Sequence, residues 1–393
     1  MSSPIPVAIL GFSSSARTFH LPLLLASSSS FSLHTIQQRS TSSSAPASAS
    51  FPNARIVDGV AEVFAGADRL PERGLVVITT ANATHFDFAM QAITHKCHVV
   101  VEKPAVLSTR EADELMAAAE QAGVVCTVFQ NRRLDADFLT LRSLLAPPTG
   151  ESPLGQLTRL ESRFDRYRPF PKGGWREEKA WQEGGGVLWD LGSHLVDQAL
   201  LLFGPPEAIS ALVQATRRPE SSVEDDFLLH LHYPSTSVGG LRITLGASCV
   251  SPFLDAEQPR FIAQGLKGSY LKRGLDPQEN QLKAGLSPTS SNFGSYSDSE
   301  RASLRLGRLT TSVPPKPAKE GEAPNQPLLA SADIPTLPGA YVRFYEAVAA
   351  AIRGEEKPDS FVTLQQMKDN TRALLLCRKS AEEGRSVKWT EEV

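Results

Sequence analysis

The chain is poor in cysteine, in aromatic residues and in long apolar runs. Its four cysteines among 393 residues are Cys97, Cys126, Cys249 and Cys377. They are far apart and lack metal-ligand spacing, which argues against a disulfide scaffold and against a zinc module. Three of them fall in apolar runs, so buried free thiols in a reducing, cytosolic setting are expected. No stretch is apolar and long enough to span a membrane. The opening Met1-Ser-Ser-Pro-Ile-Pro6 has no basic segment leading into an apolar one, and no secretory signal is expected. A basic surplus is missing too. With 40 Lys+Arg against 43 Asp+Glu the formal net charge is −3, which leaves no electrostatic footprint for nucleic acid. A hydrophobic content of 41% with 21% charged residues describes a globular chain, long enough for two domains.

What is present falls into two patterns. Up to about residue 130, short apolar runs alternate with helical stretches. Residues 6–10 lead into Gly11, 31–36 form a second run, 75–80 a third, 98–102 a fourth and 124–129 a fifth. Helices are expected from Asn82 to Lys96 and from the capping box Ser108-Thr-Arg-Glu111 to Ala122. This alternation predicts an α/β fold whose first domain, 1–130, is a doubly wound parallel sheet of the Rossmann type. Residues 39–50 are Ser/Ala-rich and read as a surface loop or a flexible insertion. Beyond residue 130 the pattern changes to strand-like segments at 157–166, 208–217, 227–233, 240–248 and 260–271, entered by a helix over 184–203. A second, α+β domain over 131–393 with a large, mostly antiparallel open sheet is predicted. Within it, 277–338 is rich in Ser, Pro, Gly and charge and is expected to be irregular. Helices follow at 341–353 and 362–383, then a last strand at 386–390.

Four places carry candidate chemistry. After the first strand, Gly11-Phe12-Ser13-Ser-Ser-Ala16 stands where a G-x-G-x-x-G/A phosphate loop belongs. Ser13 departs from that pattern and brings a Cβ towards the pyrophosphate, so an ordinary strand-to-helix turn is the competing reading. The second strand ends in Gln37-Gln-Arg39-Ser40-Thr41, without the acid that accepts from the ribose of NAD. Arg39, with Ser40 and Thr41, suits the 2′-phosphate of NADP; a solvated loop arginine is the alternative. The fourth run, Val99-Val-Val-Glu102-Lys103-Pro104, ends in a charged dyad that packing does not require. Pro104 biases Lys103 towards extended backbone, at the sheet edge where open α/β folds bind ligands. Finally, Gly184-Gly-Gly-Val-Leu-Trp-Asp190-Leu-Gly-Ser-His194 sets Asp190 and His194 four residues apart, on one helical face.

These pieces, in this order, resemble the Gfo/Idh/MocA oxidoreductases, named for glucose–fructose oxidoreductase and inositol dehydrogenase. Gly11–His20, Thr79–His85, Glu102-Lys103-Pro104, Gln130–Arg133 with Asp137–Thr140, Gly184–His194, and Pro259–Tyr270 with Gly274–Glu279 carry the resemblance. The resemblance implies hydride transfer between a nicotinamide cofactor and a polyol, sugar or related hydroxyl/carbonyl substrate; the Arg39 segment favours NADP, with NAD possible. It implies that Lys103, Asp190 and His194 surround the reacting carbon, and that a homodimer or higher homo-oligomer forms through the second sheet. Oxidation of an alcohol needs a base for the O–H proton and a cation for the developing alkoxide. His194, with an ordinary pKa near neutrality, suits the proton; Lys103 can polarise the oxygen or share the proton. The competing structural readings are a helix-capping Asp190 and a satisfied interior His194; the three glycines, which allow close approach by a ligand, speak against them.

Thr80, Asn82 and His85 are expected to line the cofactor cleft, with a helix cap as the alternative for Asn82. Glu102 is expected to accept from the cofactor, or else to pair with a surface arginine. Gln130, Asn131 and Arg132, together with Arg166, Arg168, Trp175 and Arg176, can bind several hydroxyls or an anionic group; solvated arginines are the alternative. Phe164, Tyr167 and Phe170 read as core or interface. The competing function on the same fold is a non-catalytic nucleotide-binding regulator or sensor. No metal is expected.

Overall fold

The apolar runs of the first part become six strands: β1 (Ile5–Leu10), β2 (Phe31–Gln37), β3 (Arg55–Val57), β4 (Leu75–Ile78), β5 (His98–Val101) and β6 (Cys126–Val128). They pair in parallel in the order β3-β2-β1-β4-β5-β6. The computed structural model describes residues 3–40, 45–147, 150–234, 240–313, 325–356, 358 and 360–393, and of Trp175 the backbone alone. Every residue of β4 and β5 is buried, as continuous apolar runs require when helices cover both faces of a sheet. Strand order reverses between β1 and β4, which opens a crevice at their C-terminal ends. Into that edge the chain delivers Gly11, Thr79–Thr80, Glu102–Lys103 and Gln130.

The second sheet comprises β7 (Leu157–Arg163), β8 (Ala208–Gln214), β9 (Asp226–His232), β10 (Arg242–Ser248), β11 (Pro259–Gly265), β12 (Gly268–Arg273), β13 (Leu306–Val313), β14 (Leu328–Pro335) and β15 (Val387–Lys388). Their order is β14-β13-β12-β11-β7-β10-β9-β8-β15. All pairs are antiparallel except β7 with β10. Leu229, Leu231, Ile243 and Leu245 on one face share a core with Leu195 and Val196 of helix Ser193–Phe203 and with Leu374 and Leu376 of helix Leu364–Glu383. The latter helix opens on a capping box: Thr363 Oγ1 accepts from the Gln366 amide at 3.2 Å, and Gln366 Oε1 accepts from the Thr363 amide at 3.0 Å.

Two stretches differ from expectation. The segment expected to be irregular over 277–338 carries helix Gln278–Lys283 and the β13–β14 hairpin at the sheet edge. Seven of the eight residues of β14 are exposed, so no buried face imprints the alternation by which a strand is read. In the Ser/Ala-rich stretch, Ala47–Ser50 form a helical turn, with Ala47 buried and its amide donating to Gln38 Oε1 at 2.7 Å. Thr41 lies outside the described residues. Helix Val342–Ile352 also returns from the second part of the chain to the first sheet, where Phe344, Tyr345 and Val348 pack with Val7, Ile9 and Val77.

Candidate functional site

At the end of β1, Gly11 has φ +88°, and a Cβ there would sit 3.0 Å from Thr80 Cγ2. Its amide donates to Gln37 Oε1 at 3.0 Å, and its carbonyl accepts from Thr79 Oγ1 at 2.6 Å. The helix that follows begins at Ser14, so its first-turn amides face the crevice end of the sheet. Ser13 does not block this cradle: its Oγ turns back to accept from the Ala16 amide at 3.2 Å. These features fit a dinucleotide. Phe12 is buried with its ring against Phe51, so only its backbone is available to a cofactor. Thr80 is half-buried and shares a hydrogen bond with Thr84 at 2.7 Å.

At the end of β2, Arg39 and Ser40 are exposed. An acid does stand beside them, on the chain after β3: the Asp58 carboxylate accepts from the Ser40 amide. That bond, with Arg39 nearby, holds the Asp58 carboxyl below its ordinary range.

Lys103, Asp190 and His194 come together across the two sheets. Lys103 Nζ donates to Asp190 Oδ1 at 2.8 Å and to the Asp190 carbonyl at 2.6 Å. Arg176 Nε lies 3.3 Å from the same Oδ1. Burial alone would raise the Asp190 carboxyl, but Lys103, Arg176 and Arg166 hold it far below the usual carboxylate range. Asp190 sits in a wider, π-type turn, Leu188–Gly192, that runs directly into helix Ser193–Phe203. It therefore caps no helix by its side chain. His194 is buried, with Nδ1 3.0 Å from Gln130 Oε1. An acceptor facing Nδ1 puts the ring proton there and leaves the Nε2 lone pair free. Burial first, then Lys103 and Arg132, push His194 well below 6.5, against the pull of Asp190. Where an ordinary near-neutral pKa was expected from sequence, burial and these cations favour the neutral ring.

Other expected residues are engaged with the protein itself. Glu102 is held by Ser15 Oγ and by His20 Nε2 at 3.1 Å, while His20 Nδ1 meets Tyr345 Oη at 2.7 Å. Burial would raise the Glu102 carboxyl; His20, Ser15 and Lys103 keep it at about 2. Its partner is a buried histidine, and not the surface arginine considered from sequence. Asn82 is buried and donates to the Gly184 carbonyl at 3.0 Å, tying the two units together. His85 is fully buried between the carbonyls of Pro104, 2.7 Å away, and Thr80, 3.1 Å away. It supports the Lys103–Pro104 segment from beneath and does not line the cleft. The three glycines are also explained by protein neighbours. A Cβ would lie 2.7 Å from Asn82 Cβ at Gly184, 1.8 Å from the Lys179 carbonyl oxygen at Gly185 and 2.2 Å from Glu224 Oε1 at Gly186.

Among the expected substrate residues, Gln130 faces His194, and Asn131 is buried at the start of the turn Asn131–Leu134. Arg132 is occupied: it meets Glu279 at 2.7 Å, Tyr341 at 3.3 Å and Asp135 at 3.5 Å. Arg168 is exposed, and the Trp175 side chain lies outside the described residues. Phe164 is core, with the Arg260 guanidinium 4.1 Å from its ring centre, but Tyr167 and Phe170 are exposed, at 56% and 82%. Sequence reasoning missed Ser15, His20, Tyr345 and Asp58. His20 lay inside a quoted motif, yet its partners are 82 and 325 residues away. It also missed the buried bidentate pair Arg133–Asp197, with both bonds at 2.7 Å.

Known proteins share both halves of this arrangement. A family model described as "Oxidoreductase family, NAD-binding Rossmann fold" matches residues 5–130, and the GFO/IDH/MocA C-terminal domain matches 138–271. The scyllo-inositol 2-dehydrogenase (NADP(+)) IolW of Bacillus subtilis is 32% identical over 384 residues, covering 98% of this chain and 95% of that protein. The oxidoreductase YdgJ of Escherichia coli is 36% identical, covering 90% of each. The solved structure of Bacillus subtilis yvaA superposes with a TM-score of 0.81 at 30% identity and covers 99% of both chains. With both domain models matched along their own sheets, the chain belongs to the Gfo/Idh/MocA family of oxidoreductases, with a nucleotide-binding Rossmann domain ahead of its second sheet.

Proposed function

We propose that the chain is an NADP-linked dehydrogenase or reductase acting on a hydroxyl- or carbonyl-bearing carbon of a polyol or sugar-like substrate. The observation that carries this reading is the convergence of Lys103, Asp190 and His194 at the crevice edge of the Rossmann sheet. A bound nicotinamide cofactor supplies or accepts the hydride. Gly11, Ser13 and the helix start after β1 would hold its pyrophosphate, and Arg39 and Ser40 a 2′-phosphate. The NADP(+) in the name of IolW agrees with that preference.

The residues divide the proton chemistry as follows. Two of the three Lys103 N–H bonds go to Asp190, which leaves the third for the substrate oxygen. That ammonium stabilises negative charge as the O–H proton leaves. The free Nε2 of neutral His194 accepts the proton in oxidation and returns it in reduction. Asp190 stays ionised and fixes the ammonium by two hydrogen bonds, while Gln130 fixes the imidazole. Ser13, which departs from the phosphate-loop pattern, spends its hydroxyl within the helix start. The exposed face of the second sheet, with Leu212 at 61%, is read as the surface of a homodimer; light scattering on the eluting protein checks this.

The test is a panel of polyols and the corresponding ketoses, scyllo-inositol and its keto form among them, with reduced-nicotinamide absorbance as the readout. Turnover of at least one pair with NADP(H), lost in Lys103→Met, is expected. Cofactor binding without turnover of any member would favour the sensor.

A further inference from the structure

Behind the turn that presents Asp190 to Lys103 lies a carboxylate with no part in the proton chemistry. Glu224 is buried just ahead of β9. Its Oε1 accepts from the Leu188 amide at 3.2 Å. The same oxygen lies 2.9 Å from Nη2 of half-buried Arg378, on helix Leu364–Glu383. Among the described residues its Oε2 makes no hydrogen bond. The Glu224 carbonyl accepts from the Val187 amide, also at 3.2 Å. Gly186, at φ +92°, lies against the carboxylate, since a Cβ there would sit 2.2 Å from Oε1.

The backbone held by these contacts leads straight into the site. The Gly186 amide donates to the Arg176 carbonyl at 2.9 Å, and the Gly186 carbonyl accepts from the Asp190 amide at 3.2 Å. Arg176 Nε in turn lies 3.3 Å from Asp190 Oδ1. Lys103 Nζ donates to both the carboxylate and the carbonyl of Asp190. A shift of the chain between 186 and 190 therefore moves both acceptors of the ammonium at once. The π-type turn begins at Leu188, whose amide Glu224 holds. The first amides of a helical turn lack a partner within it, so an outside acceptor fixes where that turn starts. A buried ion pair adds little net stability over an apolar pair of the same shape, and an unpaired carboxylate oxygen costs free energy. Packing alone gives no reason for an acid at 224; the Leu188 amide does.

We infer that Glu224, fixed by Arg378, is a positioning residue for the reaction. It sets the Gly186–Leu188 backbone, and through it the place of Asp190 and of Lys103 Nζ. This rests on the dehydrogenase reading. Misplacing a group at the reacting atoms by about 1 Å costs roughly 10²-fold in rate.

Two variants of the full chain test it. Glu224→Gln keeps an oxygen for the Leu188 amide at nearly the same volume. Glu224→Ala/Arg378→Met removes that oxygen without leaving the arginine facing no acid. The Val187 bond to the carbonyl of residue 224 is backbone and stays in both. The measurements are kcat, the NADPH dissociation constant by nicotinamide fluorescence, and amide hydrogen exchange by mass spectrometry. In Glu224→Gln, kcat within about threefold of wild type is expected. In the double variant kcat falls by about tenfold or more, with NADPH affinity within about twofold of wild type. Its amides over 186–192 exchange at least about tenfold faster, while those of the first sheet are unchanged. Wild-type kcat in the double variant, an equal loss in Glu224→Gln, or faster exchange throughout the chain would overturn the inference. Should the double variant not fold, Glu224→Asp, which draws the carboxylate back by one methylene and keeps its charge, takes its place under the same outcomes. If the wild type turns over no substrate, the dehydrogenase reading falls, and the exchange comparison alone decides whether Glu224 sets the turn.

Discussion

Replacing Lys103 by Met keeps the side-chain length and removes the ammonium. Three effects follow from the geometry. The substrate oxygen loses its cationic partner, and loss of such an acid–base or electrostatic group costs roughly 10²–10⁴ in rate. At about 1.36 kcal/mol per tenfold, that is about 3–5 kcal/mol of barrier. Among the described residues Asp190 then keeps Arg176 as its ion-pair partner, so its carboxyl rises. Lys103 is also the first of the cations that depress His194, so the imidazole pKa moves up towards its ordinary value. The sign for activity is fixed by the proton-accepting role. Neutral His194 is the competent form, so the acid limb of kcat/KM in the wild type lies well below pH 6.5. In Lys103→Met it shifts towards neutrality, and in Lys103→Arg, which keeps the charge, it stays. The assay is kcat/KM against pH together with the NADPH dissociation constant. NADPH affinity within about twofold of wild type separates catalysis from loss of fold. A variant that turns over within about threefold of wild type, with an unmoved acid limb, would refute the reasoning.

Arg39→Asp places a second carboxylate beside Asp58 and should shift preference from NADPH towards NADH by at least tenfold in the ratio of dissociation constants, measured by fluorescence; an unchanged ratio removes Arg39 from the 2′-phosphate site. Asp197→Ala leaves the Arg133 guanidinium buried with its two carboxylate bonds gone, and should cost about 3–5 kcal/mol in denaturant unfolding; a loss below 1 kcal/mol would show that water or Gln366 replaces the acid. Gly185→Ala puts a Cβ 1.8 Å from the Lys179 carbonyl oxygen, and the backbone shift should cost about 1–3 kcal/mol or more while displacing Asp190. Wild-type melting temperature and turnover in that variant would contradict the packing account.

The first domain was legible because its strands are buried on both faces and bounded by turns, so short apolar runs stand out against helical periodicity. Gly11, Lys103, Asp190 and His194 were legible because unusual residues at a sheet edge and i,i+4 spacing are local signals. What escaped needs the third dimension. Glu102 is held by Ser15 and His20, and His20 in turn by Tyr345, three positions with no local relation to it. His85, beside the expected cleft, turns under Pro104 for a reason visible only once that carbonyl has a position. The triple glycine was noticed, but its cause lies in Asn82, Lys179 and Glu224. His194 carries an ordinary pKa in any reading of composition; burial and two cations, one from each of two other strand ends, displace it. The β13–β14 hairpin, nearly all exposed in its outer strand, left no alternation to read.

The dehydrogenase reading stands on an NADP-type cofactor held in the crevice between β1 and β4. Titration of the purified protein with NADPH and with NADH, following nicotinamide fluorescence, measures this. Saturable NADPH binding at least tenfold tighter than NADH is expected. Equal affinity for the two would contradict the Arg39–Ser40 assignment, and no binding of either would contradict the phosphate loop and, with it, the dehydrogenase reading.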